Sequence, residues 1–254
     1  MAAPIVMVHG AFCGGWAFEA FRAPFEAAGH VVHTPDLRGH AEGDRAEAVA
    51  GVSMSVYAKD IADLCARLPE PPILIGHSLG GLVCQLAVRR APVKALILLA
   101  PSPPWGVAGS SMEEAVTAFG LMVGAAWSHS ISPDRTLMRT YSLDRMPKPE
   151  REAAVQRLRP ESGRALWEAL NWWLDPFMTT SVGVGALEVP CLVMVGQRDV
   201  VHPPMTARQT AARLGAEYRE MPGMSHWLLG ETGWQDVASA AWDWLAQVKV
   251  RDPA

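Results

Sequence analysis

A chain of 254 residues that is 50% apolar and 19% charged can bury a large core, and its length suits one domain carrying an insertion. The net charge of −4 and the scattered Lys and Arg argue against a nucleic-acid partner and against an anionic membrane surface, both of which call for a basic field. The opening MAAPIVMVHG lacks the basic start and apolar stretch of a secretory signal, and no apolar run reaches the roughly 18 residues of a membrane span, so the chain reads as soluble and cytoplasmic.

In chain order, PIVMVH (4–9), HVVHTPD (30–36), PILIGH (72–77), KALILLA (94–100) and CLVMVG (191–196) read as strands, and AEYREMP (216–222) as a weaker sixth. Helical spacing occupies 16–28, 55–68, 80–90, 204–214 and 234–248, with Gly29 and Gly215 placed as stops. This alternation predicts an α/β fold, a mostly parallel sheet with helices on both faces. One connection is out of proportion: 90 residues run from Pro101 to Pro190, where a crossover needs about 2 to 6 loop residues at each end of one helix. Its signals are helical, with Ser132–Pro133 as a first turn, Pro149 opening PEREAAVQRL, and ESGRALWEALNWWL before Asp175–Pro176. The expectation is a core formed by 1–100 and 187–254 with a helical cap inserted at 101–186. The cap carries Trp105, Trp127, Trp167, Trp172 and Trp173 with Met112, Met122, Met138, Met146 and Met178. Aromatic residues at helical spacing mean mostly packing onto the body, and the remainder would line an apolar pocket. Cys13, Cys65, Cys84 and Cys191 show no paired spacing, and three lie in apolar segments, so they read as reduced structural thiols.

The chemistry centres on GHSLG, residues 76–80. A GxSxG pentapeptide alone is weak evidence, but this one follows a buried strand and opens a helix, the setting in which a sharp turn pushes the serine out at the carboxyl end of the sheet. Gly76 and Gly80 answer the close approach that such a turn imposes. A serine hydroxyl is a poor nucleophile at neutral pH and needs a base, which needs an orienting carboxylate. Asp199 stands three residues beyond the fifth strand and His226 in a loop after the last, while His202 is nearer to Asp199 in sequence. The loop after LILLA holds Ser102 and no carboxylate. A lone loop histidine such as His202 is usually a polar surface group.

With Ser78, Asp199 and His226 in that order, the chain resembles an α/β-hydrolase from VMVHG to the final helix. The resemblance implies Ser78 as nucleophile, His226 as base in preference to His202, Asp199 as acid, and an oxyanion hole from the backbone N–H groups of Ala11, after His9–Gly10, and Leu79. Phe12, Trp105 and Trp227 are assigned to the substrate pocket, with Trp16 as packing. Asp36 and Arg38 would brace their loop, and His77 would be structural. HGAFCGGW and GHSLGG look most like the methylesterase and hydroxynitrile lyase subgroup. The lyases tend to carry Thr where Gly10 stands and Lys where Trp227 stands, which points away from cyanohydrin cleavage. The implied activity is serine carboxylesterase on a small-molecule hydrophobic ester, with no metal or other cofactor. Lactone, thioester or carbon–carbon hydrolysis by the same triad, and a non-catalytic receptor on this fold, are the alternatives.

Overall fold

The computed structural model describes residues 2–111, 126–183 and 187–248. Four apolar runs become central strands: β1 (Ile5–Val8), β3 (Ile73–His77), β4 (Ala95–Leu99) and β7 (Cys191–Gly196). With β2 (Val32–His33) and β8 (Glu217–Met221) at the edges they form one sheet in the order β2-β1-β3-β4-β7-β8. Every neighbouring pair is parallel. β2 is shorter than the 30–36 expected, pairing only Val32 and His33 with Ile5 and Val6. Pro35, two residues on, has no N–H to give a ladder.

Alternate residues of each strand serve opposite faces. Ile5, Met7, Ile73, Ile75, Ile97, Leu99 and Met194 pack against Phe18, Phe21 and Phe25 and against Val237, Ala241 and Trp244 of helix Trp234–Gln247. Val6, Val8, Leu74, Leu96, Leu98 and Val193 pack against helices Met54–Arg67, Leu79–Ala87 and Pro204–Leu214. Burial on both faces explains why these strands read as continuous apolar runs rather than alternating ones. The region read as one helix at 16–28 is a 3-10 turn, Gly15–Phe18, followed by a short helix, Ala23–Ala27.

Between β4 and β7 the described chain is helical with one small antiparallel pair, β5 (Ser130–Ile131) against β6 (Glu161–Ser162). The first turn expected at Ser132–Pro133 is capped instead by Asp134, whose carboxylate accepts the N–H groups of Thr136 and Leu137. Helix Lys148–Arg157 carries Pro149 in its first turn, and helix Gly163–Leu170 is capped by the Ser162 hydroxyl, which accepts from Ala165 N–H. Met112 and Met122 lie outside the described residues. Of the other Trp and Met residues named for the cap, Trp173, Met178 and Trp127 are exposed rather than packed inward.

Two buried glutamates join this segment to the body. Glu168 accepts from the Ser53 hydroxyl and from Met54 N–H, both at 2.8 Å, so it caps helix Met54–Arg67 from outside. Glu161 accepts from the Tyr57 hydroxyl at 2.7 Å and pairs with His40 Nε2 at 3.1 Å. No described helix is long and apolar enough to cross a membrane.

Candidate active site

The carboxyl end of β3 runs into helix Leu79–Ala87 with a single residue, Ser78, between them. Ser78 has φ +52° and ψ −123°, a region that non-glycine residues occupy only under constraint. The constraint is a set of main-chain bonds: Ser78 N–H donates to Leu99 O at 3.0 Å, and Ser78 O accepts from Gly81 N–H at 2.9 Å and Ser102 N–H at 3.0 Å. The turn closes only because a Cβ at Gly76 would lie 2.6 Å from Gly80 O, and one at Gly80 would lie 2.3 Å from both Val8 O and His9 O. Ser78 keeps partial exposure while His77 and Leu79 on either side are buried.

Asp199 leaves β7 in a turn closed by its own N–H on Gly196 O at 3.0 Å. One carboxylate oxygen accepts the N–H groups of Val201 and His202, each at 2.9 Å, and the other meets His226 Nδ1 at 2.9 Å. An ionised carboxylate only accepts, so the proton lies on Nδ1 and Nε2 keeps its lone pair. Asp199 and His226 are both 3% exposed. His77 Nε2–H donates to the His226 carbonyl at 3.0 Å, which ties the strand carrying Ser78 to the loop carrying His226. The three sequence-predicted residues Ser78, Asp199 and His226 thus stand on loops at the same edge of the sheet.

The two expected oxyanion donors are backbone groups, and among the described residues neither Ala11 N–H nor Leu79 N–H is spent on a backbone acceptor. Ala11 lies in the loop three residues beyond β1, where a Cβ at Gly10 would come within 3.0 Å of Ser78 Cβ. Its orientation is set through the preceding carbonyl: Gly10 O accepts from His9 Nδ1 at 2.8 Å and from Cys13 N–H at 3.3 Å. In a trans peptide the Ala11 N–H points the opposite way. Leu37 N–H donates to His9 Nε2 at 2.9 Å, which leaves the ring proton on Nδ1. Burial, then the neighbouring His40, bring the His9 pKa down to about 4, so this ring stays neutral. Phe12, at φ +64°, gives its carbonyl to Arg159 N–H at 2.8 Å, fastening the loop from the side of the connecting segment.

Ala11 and Phe12 face an apolar wall made by Ile131, Leu166, Trp167 and Leu170. Trp105 stands further along, its ring 5.3 Å from that of Trp172 and its backbone N–H donating to Thr180 O at 3.1 Å. Trp227 is placed elsewhere than expected. It is 4% exposed within the body core, its ring 5.2 Å from His77 and 6.1 Å from Trp16. It lines a cavity of about 500 Å³ shared with Trp16, Met146 and Glu231, which Ser78, Asp199 and His226 do not line. Its contacts support bracing of His77. Cys13 is buried and burial pushes its thiol well above the usual range, which removes it as a nucleophile. Asp36 accepts Gly15 N–H at 2.7 Å, and Arg38 is paired with Asp60 at 2.7 Å, so both brace as expected.

His202 corrects an expectation: instead of a surface group it is 4% exposed, with Nε2 2.9 Å from the Ser102 hydroxyl and its ring 5.3 Å from that of His226. The pair joins the loop after β4 to the loop bearing Asp199. The tether at His77, the tautomer lock at His9 and the buried Glu231 were likewise not read as parts of the site. The only signal in the sequence was their position within one to five residues of a site residue.

The sequence profile of the alpha/beta hydrolase family matches residues 5–240. A pimeloyl-[acyl-carrier protein] methyl ester esterase of Chromobacterium violaceum is 32% identical over 240 residues, 87% of this chain and 86% of that one. A pyrethroid hydrolase of Sphingobium wenxiniae is 39% identical over 90 residues, 35% of this chain and only 32% of that enzyme's length. Among solved structures, a methylesterase from Arabidopsis superposes with a TM-score of 0.74 at 18% identity, covering 97% of this chain and all of that one. The crystal structure of a pyrethroid hydrolase from Sphingobium faniae gives 0.70 at 26% identity, covering 96% and 97%. A profile matched along nearly the whole chain, on a parallel sheet of this order, establishes that the protein belongs to the alpha/beta hydrolase family.

Proposed function

We propose that the protein is a serine carboxylesterase acting on small to medium hydrophobic esters. The observation that carries this reading is the Asp199–His226 bond of 2.9 Å, which leaves Nε2 as a base on the sheet edge where Ser78 is held in its strained turn. Ser78 Oγ attacks the ester carbonyl as His226 Nε2 takes its proton. The N–H groups of Ala11 and Leu79 receive the developing oxyanion, each such donor lowering the barrier by about 3 kcal/mol. His226 returns the proton to the departing alcohol, and water, activated by the same base, releases the acid from the acyl-Ser78 intermediate. Asp199 keeps the imidazole in the required tautomer and stabilises its cation.

The apolar wall of Ile131, Leu166, Trp167 and Leu170 beside Phe12 supports a hydrophobic acyl or alcohol group and poor turnover of strongly charged esters. Relatives named as a methyl ester esterase and a pyrethroid hydrolase support ester chemistry. A fluorophosphonate probe and a series of p-nitrophenyl esters test the reading. Labelling is expected at Ser78, with Ser78→Ala and His226→Ala each lowering kcat/KM by about 10⁴-fold or more. Full activity in Ser78→Ala overturns the mechanism, and an unlabelled, inactive wild-type protein favours a receptor on this fold.

A further inference from the structure

The loop that carries His226 is fixed from two sides. Beyond the histidine, His77 holds the His226 carbonyl at 3.0 Å. Before it, Ser225 N–H donates to both carboxylate oxygens of Glu231, at 2.9 and 3.1 Å. Glu231 is 1% exposed, and its own N–H donates to Trp227 O at 3.1 Å. Side chain and main chain together close residues 225–231 into a short loop with His226 near its entry, the imidazole leaning on Asp199. Burying a carboxylate is unfavourable unless its partners hold it, and the partner that touches both oxygens here is the peptide N–H next to the candidate base.

We propose that Glu231 is a positioning residue for His226: as a carboxylate it holds Ser225 N–H and so fixes how the imidazole stands between Asp199 and Ser78. The proposal rests on the reading of His226 as the base and adds to it a second ionisable group within the same loop.

The surroundings make that group switchable. Arg145 approaches with Nε 3.9 Å from Glu231, with its side chain 42% exposed. Asp144 and Asp199 add negative charge, the Ser225 hydroxyl is buried beside it, and Glu150 and the Trp16 ring lie along the same cavity wall. Burial is the largest influence and raises the Glu231 pKa to about 7; the Ser225 bond and Arg145 oppose it, while Asp144 and Asp199 add to it. A charge-assisted bond is about twice as strong as a neutral one. Protonation below about pH 7 therefore slackens the tether, and activity should need Glu231 ionised.

Glu231→Gln keeps the shape and one acceptor oxygen but cannot ionise. Expected for a p-nitrophenyl ester is a kcat lowered about 10- to 100-fold with KM changed less than twofold, since the imidazole is misplaced while the pocket is intact. The acid limb of kcat/KM should lose one proton dependence, and Glu231→Asp should restore it in part. The Ser225 amide proton, followed by NMR without substrate, should move with a midpoint near pH 7 in the wild type and in His226→Ala, and show no such step in Glu231→Gln. Wild-type kcat and acid limb in Glu231→Gln, or a wild-type Ser225 resonance that does not titrate near pH 7, overturns the proposal. The amide readout does not depend on ester turnover, so it separates failure of this inference from failure of the esterase reading.

Discussion

The sheet and the segment that follows β4 are held by different means. The strands bury Ile, Val, Leu and Met on both faces, so their positions follow from apolar area alone. Residues 126–183 also reach the body through two fully buried glutamates, Glu161 and Glu168, one on the Tyr57 hydroxyl and beside His40, the other on the start of helix Met54–Arg67. Apolar packing fills space and tolerates a lost methylene, whereas a buried carboxylate either finds its donors or unbalances the structure. The strands should thus be robust to pH and to small changes, while the seating of the segment should be sensitive to single charges.

The largest effect that would break this contrast is expected at Glu168. Glu168→Ala leaves the Ser53 hydroxyl and Met54 N–H without their acceptor and Arg164, bonded to the same carboxylate at 2.8 Å, without its partner. The unfolding free energy in urea should fall by about 3 kcal/mol, and Glu168→Gln, which keeps one acceptor, should lose less. A Glu168→Ala protein as stable as wild type would show the contact to be incidental.

A more graded effect concerns the His40–Glu161 pair. Burial by itself lowers the His40 pKa, but the Glu161 charge and bond outweigh it, and the net direction is upward. Burial raises Glu161, and His40 together with the Tyr57 and Ser162 donors turns the net direction downward. Each shift contributes stability in its own range. The raised His40 stabilises below its unfolded value near 6.5 and loses that contribution as pH climbs through the folded one. The lowered Glu161 stabilises above its unfolded value near 4.5 and loses it as pH drops through the folded one. Stability measured against pH should thus be greatest between about pH 4.5 and pH 6.5, the two unfolded values, and fall on either side as each group passes toward its folded value. Glu161→Gln should remove that peak, and a Glu161→Gln profile parallel to wild type would show that the pair is not ionised.

The same physics explains what could be read from the sequence. Strands Ile73–His77, Ala95–Leu99 and Cys191–Gly196 fall within one residue of the runs that announced them, because apolar runs between turn residues are a local signal. GxSxG after a strand and before a helix placed Ser78 for the same reason, and chain order singled out Asp199 and His226. Glu161, Glu168 and Glu231 were illegible because a charged residue normally reads as solvated surface, and only the tertiary fold supplies the N–H and O–H groups that make burial tolerable. His202 failed likewise: no local pattern brings Ser102, 100 residues away, to 2.9 Å from its ring. Trp227 was assigned to the substrate pocket, yet neighbouring side chains on a turn can face different compartments, and this one turns to His77.

The smallest expected effect lies at a third contact between segment and body, and it sharpens the contrast because the residue types are the same. Arg157, at the end of helix Lys148–Arg157, forms two hydrogen bonds with Glu19, at 2.9 and 2.7 Å, and stacks 4.8 Å over the Trp16 ring. By count of bonds it rivals Glu168, but its side chain is 46% exposed and that of Glu19 63%. Water solvates both charges whether or not they meet, so holding two long side chains in register offsets most of the attraction. Arg157→Ala should cost no more than about 1 kcal/mol, and much of that should come from the lost Trp16 contact, leaving little for salt to screen. Urea unfolding of Arg157→Ala and Glu168→Ala at low and high salt compares the two directly. If exposure decides, the Glu168 loss persists at both salt concentrations and the Arg157 loss stays small; equal losses would mean that bond count, rather than burial, sets how this segment is seated.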